Sequence, residues 1–200
     1  MSKFFGIIHG ILESNGESYE SKYPEIKNKN VFSISTLAHG SASQVHWKLK
    51  GQKGQFPYES NVGKAFFLGR ATHEFIQNRM NLVTEYPLEY VTEHYKLVGH
   101  VDILDFKENH IIELKTTKLE SVELGRLREY MLQAGAYAYL MEKQTGRTWK
   151  ASIFVINGTL TEYELTQEDI ENSWKVITKR AEETYEKLRA MGQIQIDTSD

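Results

Sequence analysis

"GHVDILDFKENHIIELKTTK", residues 99–118, alternates apolar and polar side chains on either side of a polar centre. That is the pattern of two strands joined by a turn. Its charges are out of place for a simple outer face. Asp102 lies among valine, isoleucine and leucine, and Glu113 and Lys115 stand two residues apart on the second strand. A turn centred on Lys107–Glu108 sets Asp102 opposite Glu113, whereas a longer loop moves the register. Glu113 and Lys115 share a face because strand side chains repeat every second residue. Two close carboxylates repel each other, and a hard divalent cation such as Mg²⁺ or Mn²⁺ relieves the repulsion. A lysine beside such an ion can hold or deprotonate a water, which the ion itself makes more acidic. Taken alone, Glu-x-Lys on a strand is also the pattern of a solvated ion pair, so the rest of the chain decides.

The chain has 200 residues, 40% hydrophobic and 12% aromatic, with 3 prolines and a formal charge of −3. This is an ordinary globular composition, long enough to bury about two-thirds of the unfolded surface. There are no cysteines, which excludes disulfides, thiolate zinc sites and cysteine-held iron–sulfur clusters. No stretch reaches the roughly 18 apolar residues of a membrane span. The opening MSKFFGIIHGILESNG lacks a signal-peptide pattern, so no membrane partner and a cytoplasmic location are expected. The weak net charge neither advertises nor forbids nucleic acid, since a basic groove is local and an acidic site subtracts from the total.

Along the chain, residues 1–34 read as polar and irregular after a short apolar start, with YPEIKNKN a surface loop. Ser35–Lys50 is expected to be a helix capped by Ser35 or Thr36, followed by the loop GQKGQFPYESN. From Asn61, the positions Val62, Phe66, Gly69, His73, Ile76 and Met80 follow helical spacing. Residues 83–106 are rich in strand formers, and His110–Thr116 is a further strand. VELGRLREYMLQAGAYAYLMEKQTG is the clearest helix, stopping at Gly146. Two strands flank Asn157–Gly158, and Ile170, Trp174, Ile177, Ala181, Tyr185 and Leu188 mark a closing amphipathic helix packed on the core. The expectation is one α/β domain over residues 1–200, a mixed sheet with flanking helices. It comprises an N-terminal helical and loop region (1–60), a core (61–165) and a C-terminal helix (166–200).

Two helices bear on the charged hairpin. Gly69 and His73 lie one turn apart on the same face, so the glycine lets the helix approach the sheet beside the imidazole. Neutral His73 could then complete a metal shell with Asp102, Glu113 and a backbone carbonyl such as that of Leu114. Glu74 points elsewhere and reads as surface. In RLREYMLQAGAYAYL, Gln133 and Tyr137 are four apart, with Tyr130 and Arg126 extending the stripe. Amide, phenol and guanidinium groups suit holding a nucleic-acid backbone. The same spacing also describes core packing, and the small residues of LQAGAYA suit close approach to the sheet.

The order Gly69-Arg-Ala-Thr-His73, Gly99-His-Val-Asp102, Glu113-Leu-Lys115 and Gln133-Ala-Gly-Ala-Tyr137 resembles the PD-(D/E)xK nucleases. It is similar in particular to the RecB-like branch, with its CRISPR-adaptation exonucleases and small nucleases of archaeal viruses. Each motif is weak alone, but their joint order on helix, strand, strand and helix is specific. The resemblance implies a restriction-endonuclease-like mixed β-sheet flanked by helices, with the active site at one sheet edge. It implies metal binding by His73, Asp102 and Glu113, and a water-orienting, charge-stabilising Lys115. Gln133 and Tyr137 would bracket the substrate strand. Many CRISPR-adaptation members hold an iron–sulfur cluster on four cysteines; this chain has none, so no cluster is implied. Valine rather than proline precedes Asp102, at a position where the superfamily keeps proline loosely.

The expected activity is therefore that of a Mg²⁺- or Mn²⁺-dependent deoxyribonuclease, an exonuclease on single-stranded DNA or DNA ends. A junction-resolving endonuclease and a non-catalytic DNA-binding subunit are the alternatives, and the oligomeric state, homo-oligomer included, stays open. Lys118 is placed for a phosphate contact, and HWKLKGQKGQ, with His46, Trp47, Lys48, Lys50 and Lys53, is a weaker basic–aromatic candidate. His39, His94, His100 and His110 are further possible ligands, with His100 the best placed because it shares a face with Asp102.

Overall fold

The computed structural model describes residues 30–40, 61–117 and 122–192. The basic–aromatic stretch around Trp47, the loop before Asn61 and Lys118 lie outside them. In chain order the elements are β1 (Val31–Ser33), α1 (Ile34–His39), α2 (Asn61–Gln77), β2 (Val83–Val91), β3 (Lys96–Asp105), β4 (His110–Thr116), α3 (Leu124–Thr145), β5 (Lys150–Ile156), β6 (Leu160–Glu164) and α4 (Gln167–Ala190).

The strands form one six-stranded mixed sheet, and β3 organises it. β2 pairs antiparallel with β3 along nearly its whole length, from Val83↔Leu104 to Val91↔Lys96. A strand has two edges, so β1 and β4 share the other. β1 runs parallel to β3 at residues 96–98, and β4 antiparallel to it only from Asp105↔His110 to Ile103↔Ile112. Residues 99–102 fall between these two partners, and there β4 leaves β3 while its other edge stays paired parallel with β5, from His110↔Lys150 to Thr116↔Ile156. The quoted hairpin thus opens into a fork. Its loop is four residues, Phe106–Asn109, rather than two, but it is centred on Lys107–Glu108 and preserves the expected register. Asp105 fixes the loop by accepting the N–H groups of Lys107 (2.8 Å) and Glu108 (3.1 Å), as an Asx turn does. Asn109 closes it with a left-handed φ of 49°.

Three local expectations are corrected. Val31–Ser33 is a strand, not irregular chain; three residues give no alternation to read, yet Phe32 is buried against Tyr95. α1 begins one residue early, capped by Ser33, whose hydroxyl accepts the Thr36 N–H, because Ile34 is already committed to the core. One small residue of α3, Gly135, serves a different neighbour from the one expected. A Cβ on Gly135 would stand 2.4 Å from Ser173 Oγ on α4, so that glycine brings α3 against α4. The close approach to the sheet is made by Gly99 of β3, where a Cβ would lie 2.3 Å from Tyr137 Cε1.

The core lies between the sheet and α3, with α4 beyond. Leu97, Val101 and Leu104 of β3, Ile111 of β4 and Ile153 of β5 join Ala134, Leu140 and Met141 of α3. Ile170, Ile177 and Ala181 of α4 complete it. α3 is buried from Gln133 to Ala138, as expected for a helix covered on two sides. It ends at Gly146, which takes φ 67° and returns its N–H to the Glu142 carbonyl. Arg180 of α4 donates to the carbonyls of Leu37 (2.8 Å) and Ala38 (3.0 Å). These bonds place a cation at the C-terminus of α1 and tie α1 to α4. Among the described residues no helix is long and apolar enough to cross a membrane.

Candidate active site

The fork in the sheet decides where polar side chains are needed. Beyond Ile103↔Ile112, the backbone groups of β3 and β4 no longer meet each other, and a buried unpaired amide or carbonyl is costly. The carboxylates fill the gap crosswise. Asp102 Oδ2 accepts the Leu114 N–H at 2.8 Å, and Glu113 Oε1 accepts the Asp102 N–H at 3.4 Å. Asp102 and Glu113 therefore continue the ladder through their side chains where the strands have parted. Asp102 Oδ1 remains directed at His73 of α2, whose Nδ1 is 3.8 Å away. Gly69, one turn earlier, is the point of close approach for α2, since a Cβ there would stand 2.8 Å from Thr116 Oγ1.

Glu113 is 0% exposed. Its Oε2 accepts from Lys115 Nζ (2.9 Å) and from Gln133 Nε2 (2.7 Å). Gln133 Nε2 also reaches the Tyr137 hydroxyl at 3.4 Å. Tyr130, one turn before Gln133, presents its ring 5.5 Å from Lys115 Nζ, a cation–π distance. α3 thus contributes three side chains at helical spacing to the face on which Glu113 and Lys115 stand.

Two carboxylates and one ammonium leave one negative charge uncompensated inside the protein, because His73 is held neutral. Burial pulls the His73 pKa below its ordinary value, with Asp102 opposing. Burial raises the Asp102 carboxyl against the favourable pull of Lys115 and His73. Burial, and next the Asp102 charge, push Glu113 up to about 8. Burial alone would lower Lys115, but Glu113 and Asp102 outweigh it and hold the ammonium charged. The surplus charge is met either by a proton on Glu113 or by an added cation. A divalent ion fits the donor chemistry, an imidazole nitrogen and carboxylate oxygens. As placed, though, no three His, Asp or Glu side chains among the described residues form a ready-made cage. His73 and Asp102 face each other, while Glu113 is engaged by Lys115 and Gln133.

The structure brings His73, Asp102, Glu113, Leu114, Lys115, Tyr130, Gln133 and Tyr137 into one cluster. Arg126 is exposed, one turn before Tyr130 on α3. Three of the other histidines have partners away from the carboxylate pair. His39 bonds Glu129 (3.1 Å), His94 stacks on Tyr185, and His110 Nε2 lies 2.8 Å from Ser152 Oγ. His100 sits on β3 opposite Pro87, and Glu74 pairs with Arg70 on the surface.

Two polar residues at the cluster carry no motif and escape sequence reasoning. Gln77 donates its amide to the Asp102 carbonyl (2.9 Å) and to Glu85 Oε1 (3.1 Å). The available signal was its position four residues after His73, on the same helical face.

The family model of the PD-(D/E)XK nuclease superfamily matches residues 32–199. The fold is similar to the crystal structure of SSO0001, with TM-score 0.61 and 16% identity, covering 90% of this chain and 86% of that one. It is also similar to a putative exonuclease from Eubacterium rectale, with TM-score 0.59 and 12% identity over 89% and 88% of the two chains. No curated protein matches the chain by sequence.

Proposed function

Because the chain belongs to the PD-(D/E)XK nuclease superfamily, we propose that it is a divalent-metal-dependent deoxyribonuclease acting on single-stranded DNA or DNA ends. The observation that carries the reading is the cluster at the fork, where the carboxylates of Asp102 and Glu113 meet across the parted strands beside His73 and Lys115. Asp102, Glu113 and His73 would hold Mg²⁺ or Mn²⁺ with the Leu114 carbonyl. A bound ion of this kind polarises a phosphate oxygen and lowers the pKa of a water at neutral pH.

The remaining work falls to the chain's own groups. Lys115, kept charged by the carboxylates, orients the attacking water and meets the charge that develops on the phosphate. The water's oxygen forms the new bond to phosphorus as the bond to the leaving sugar oxygen breaks, which yields a phosphomonoester and a hydroxyl. Gln133 holds Glu113 Oε2 beside Lys115, and its link to Tyr137 fixes the amide. Tyr130 supplies an aromatic face for the substrate strand, and Arg126 and Lys118 supply phosphate contacts; Tyr137, expected to bracket the strand, is only 1% exposed and reaches the site through Gln133 instead. The RecB-like likeness rests on motif order, and the preference for ends follows from it.

Substrate topology tests the reading. The chain, with Mn²⁺, Mg²⁺ or a chelator, is given end-labelled linear and covalently closed circular DNA, single- and double-stranded, and a four-way junction. Metal-dependent shortening of linear strands with circles intact is expected. Cut circles or a symmetrically cut junction would replace the exonuclease with an endonuclease, and binding without cleavage would leave a non-catalytic DNA-binding subunit.

A further inference from the structure

α2 is attached to the fork at two places four residues apart, His73 and Gln77, and only the first belongs to a motif. The Gln77 amide nitrogen has two hydrogens and two acceptors, the Asp102 carbonyl at 2.9 Å and Glu85 Oε1 at 3.1 Å. Both partners are acceptors only, so the amide has one orientation: its oxygen cannot face them. Glu85 itself is unusual. It lies on β2 opposite Asp102, with Thr84 paired to Ile103 on one side and Tyr86 to Val101 on the other. The ladder records no pair at Glu85, and its φ is 51°, left-handed for a residue with a side chain. Strained, non-glycine backbone of this kind persists only where its surroundings hold it, and it collects at functional sites.

Asp102 is therefore held by hydrogen bonds that run through side chains, its own or a neighbour's, where the backbone pairing with β4 has ended. Its N–H goes to Glu113, its Oδ2 to the Leu114 N–H and its carbonyl to Gln77. Its Oδ1 is left facing His73. Because Gln77 and His73 share a helical face, the amide bond sets how deeply the end of α2 sits against β3, and with it the separation of His73 from Asp102.

We infer that Gln77 and Glu85 are positioning residues, a side-chain latch that docks α2 on Asp102 and presents His73 and Asp102 together to the divalent ion. The inference rests on the proposed metal role of that pair. The latch touches neither substrate nor reacting atoms; it acts through His73. Removing an outer partner of a ligand weakens metal affinity by about tenfold to a hundredfold, and that is the effect expected here.

The test is Mn²⁺ binding to the full chain without DNA, by isothermal titration calorimetry, with circular dichroism and melting to confirm folding. Wild type is expected to bind, and His73→Ala to bind more weakly. Gln77→Leu and Glu85→Ala are expected to weaken binding by about tenfold or more, with Glu85→Gln, which retains an acceptor oxygen, near wild type. Gln77→Leu added to His73→Ala is expected to change nothing further. Should Gln77→Leu fail to fold, the Glu85 pair carries the same test. Folded Gln77→Leu or Glu85→Ala binding like wild type, with His73→Ala impaired, overturns the latch and leaves the metal reading standing. No Mn²⁺ binding by wild type, or undiminished binding by His73→Ala, overturns both.

Discussion

Replacing Glu113 with glutamine keeps the shape of a group that is 0% exposed and removes its charge. The metal-free protein holds a proton on Glu113 up to about pH 8, against 4.5 for an ordinary glutamate. Between those values the folded state binds a proton that the unfolded chain has released. Glu113 therefore stabilises the fold fully below about 4.5, loses that contribution as pH rises, and reaches its floor above about 8. At about 1.4 kcal/mol for each tenfold in proton affinity, the whole interval is worth at most about 5 kcal/mol. The ion pair with Lys115 at 2.9 Å is lost in the variant, and this offsets part of the gain.

The expected result, in chelator at about pH 8.5, is that Glu113→Gln is more stable than wild type by about 2–3 kcal/mol. At about pH 5 the two should be nearly equal. Urea unfolding followed by tryptophan fluorescence at several pH values gives the difference directly. Taking variant minus wild type cancels the opposite slopes contributed by the histidines. A variant equally destabilised at both pH values would refute the claim that surplus negative charge is buried at the fork. Saturating Mn²⁺ should stabilise wild type at alkaline pH and leave the variant nearly unmoved.

Other outcomes follow from single contacts. Gly99→Ala places a Cβ 2.3 Å from the Tyr137 ring and should destabilise by about 1–3 kcal/mol, with Tyr137→Ala in the same chain recovering part of it. Burial holds the His110 pKa below its usual 6.5 beside Ser152. Its contribution to stability is thus complete above about 6.5 and lost as pH falls below it, and His110→Gln should remove that acid-side slope in thermal melts. Arg180→Met retains the aliphatic stem but drops the bonds to the Leu37 and Ala38 carbonyls; a loss of about 1–2 kcal/mol in denaturant midpoint analysis is expected.

Much of the frame was legible in the sequence because local chemistry and the fold agree. Alternation around Lys107–Glu108 gave the hairpin and its register even though the loop is longer, since a four-residue loop on the same centre pairs the same residues. Gly146 and the Asn157–Gly158 turn marked their boundaries through positive φ. The spacing of His73, Asp102, Glu113, Lys115 and Gln133 gathered side chains that the structure does place together. What escaped notice was set by tertiary context. β1 is too short to alternate, and its strand identity comes from pairing with Lys96–Val98. Gly135 packs on Ser173 of α4, a neighbour 38 residues away that no local pattern announces. Glu85 reads as an ordinary exposed strand residue, and its left-handed backbone and its bond to Gln77 appear only once β2, β3 and α2 are assembled.

The most direct measurement of the central claim is cleavage of end-labelled linear single-stranded DNA by wild type, Glu113→Gln and Lys115→Ala, side by side in Mn²⁺ and in chelator. Circular dichroism should confirm that all three are folded. The expected result is Mn²⁺-dependent release of label by wild type and rates lower by at least about a hundredfold in both variants. Wild-type cleavage that persists in chelator, or a folded variant that cuts at the wild-type rate, would contradict the assignment of the fork as the catalytic centre.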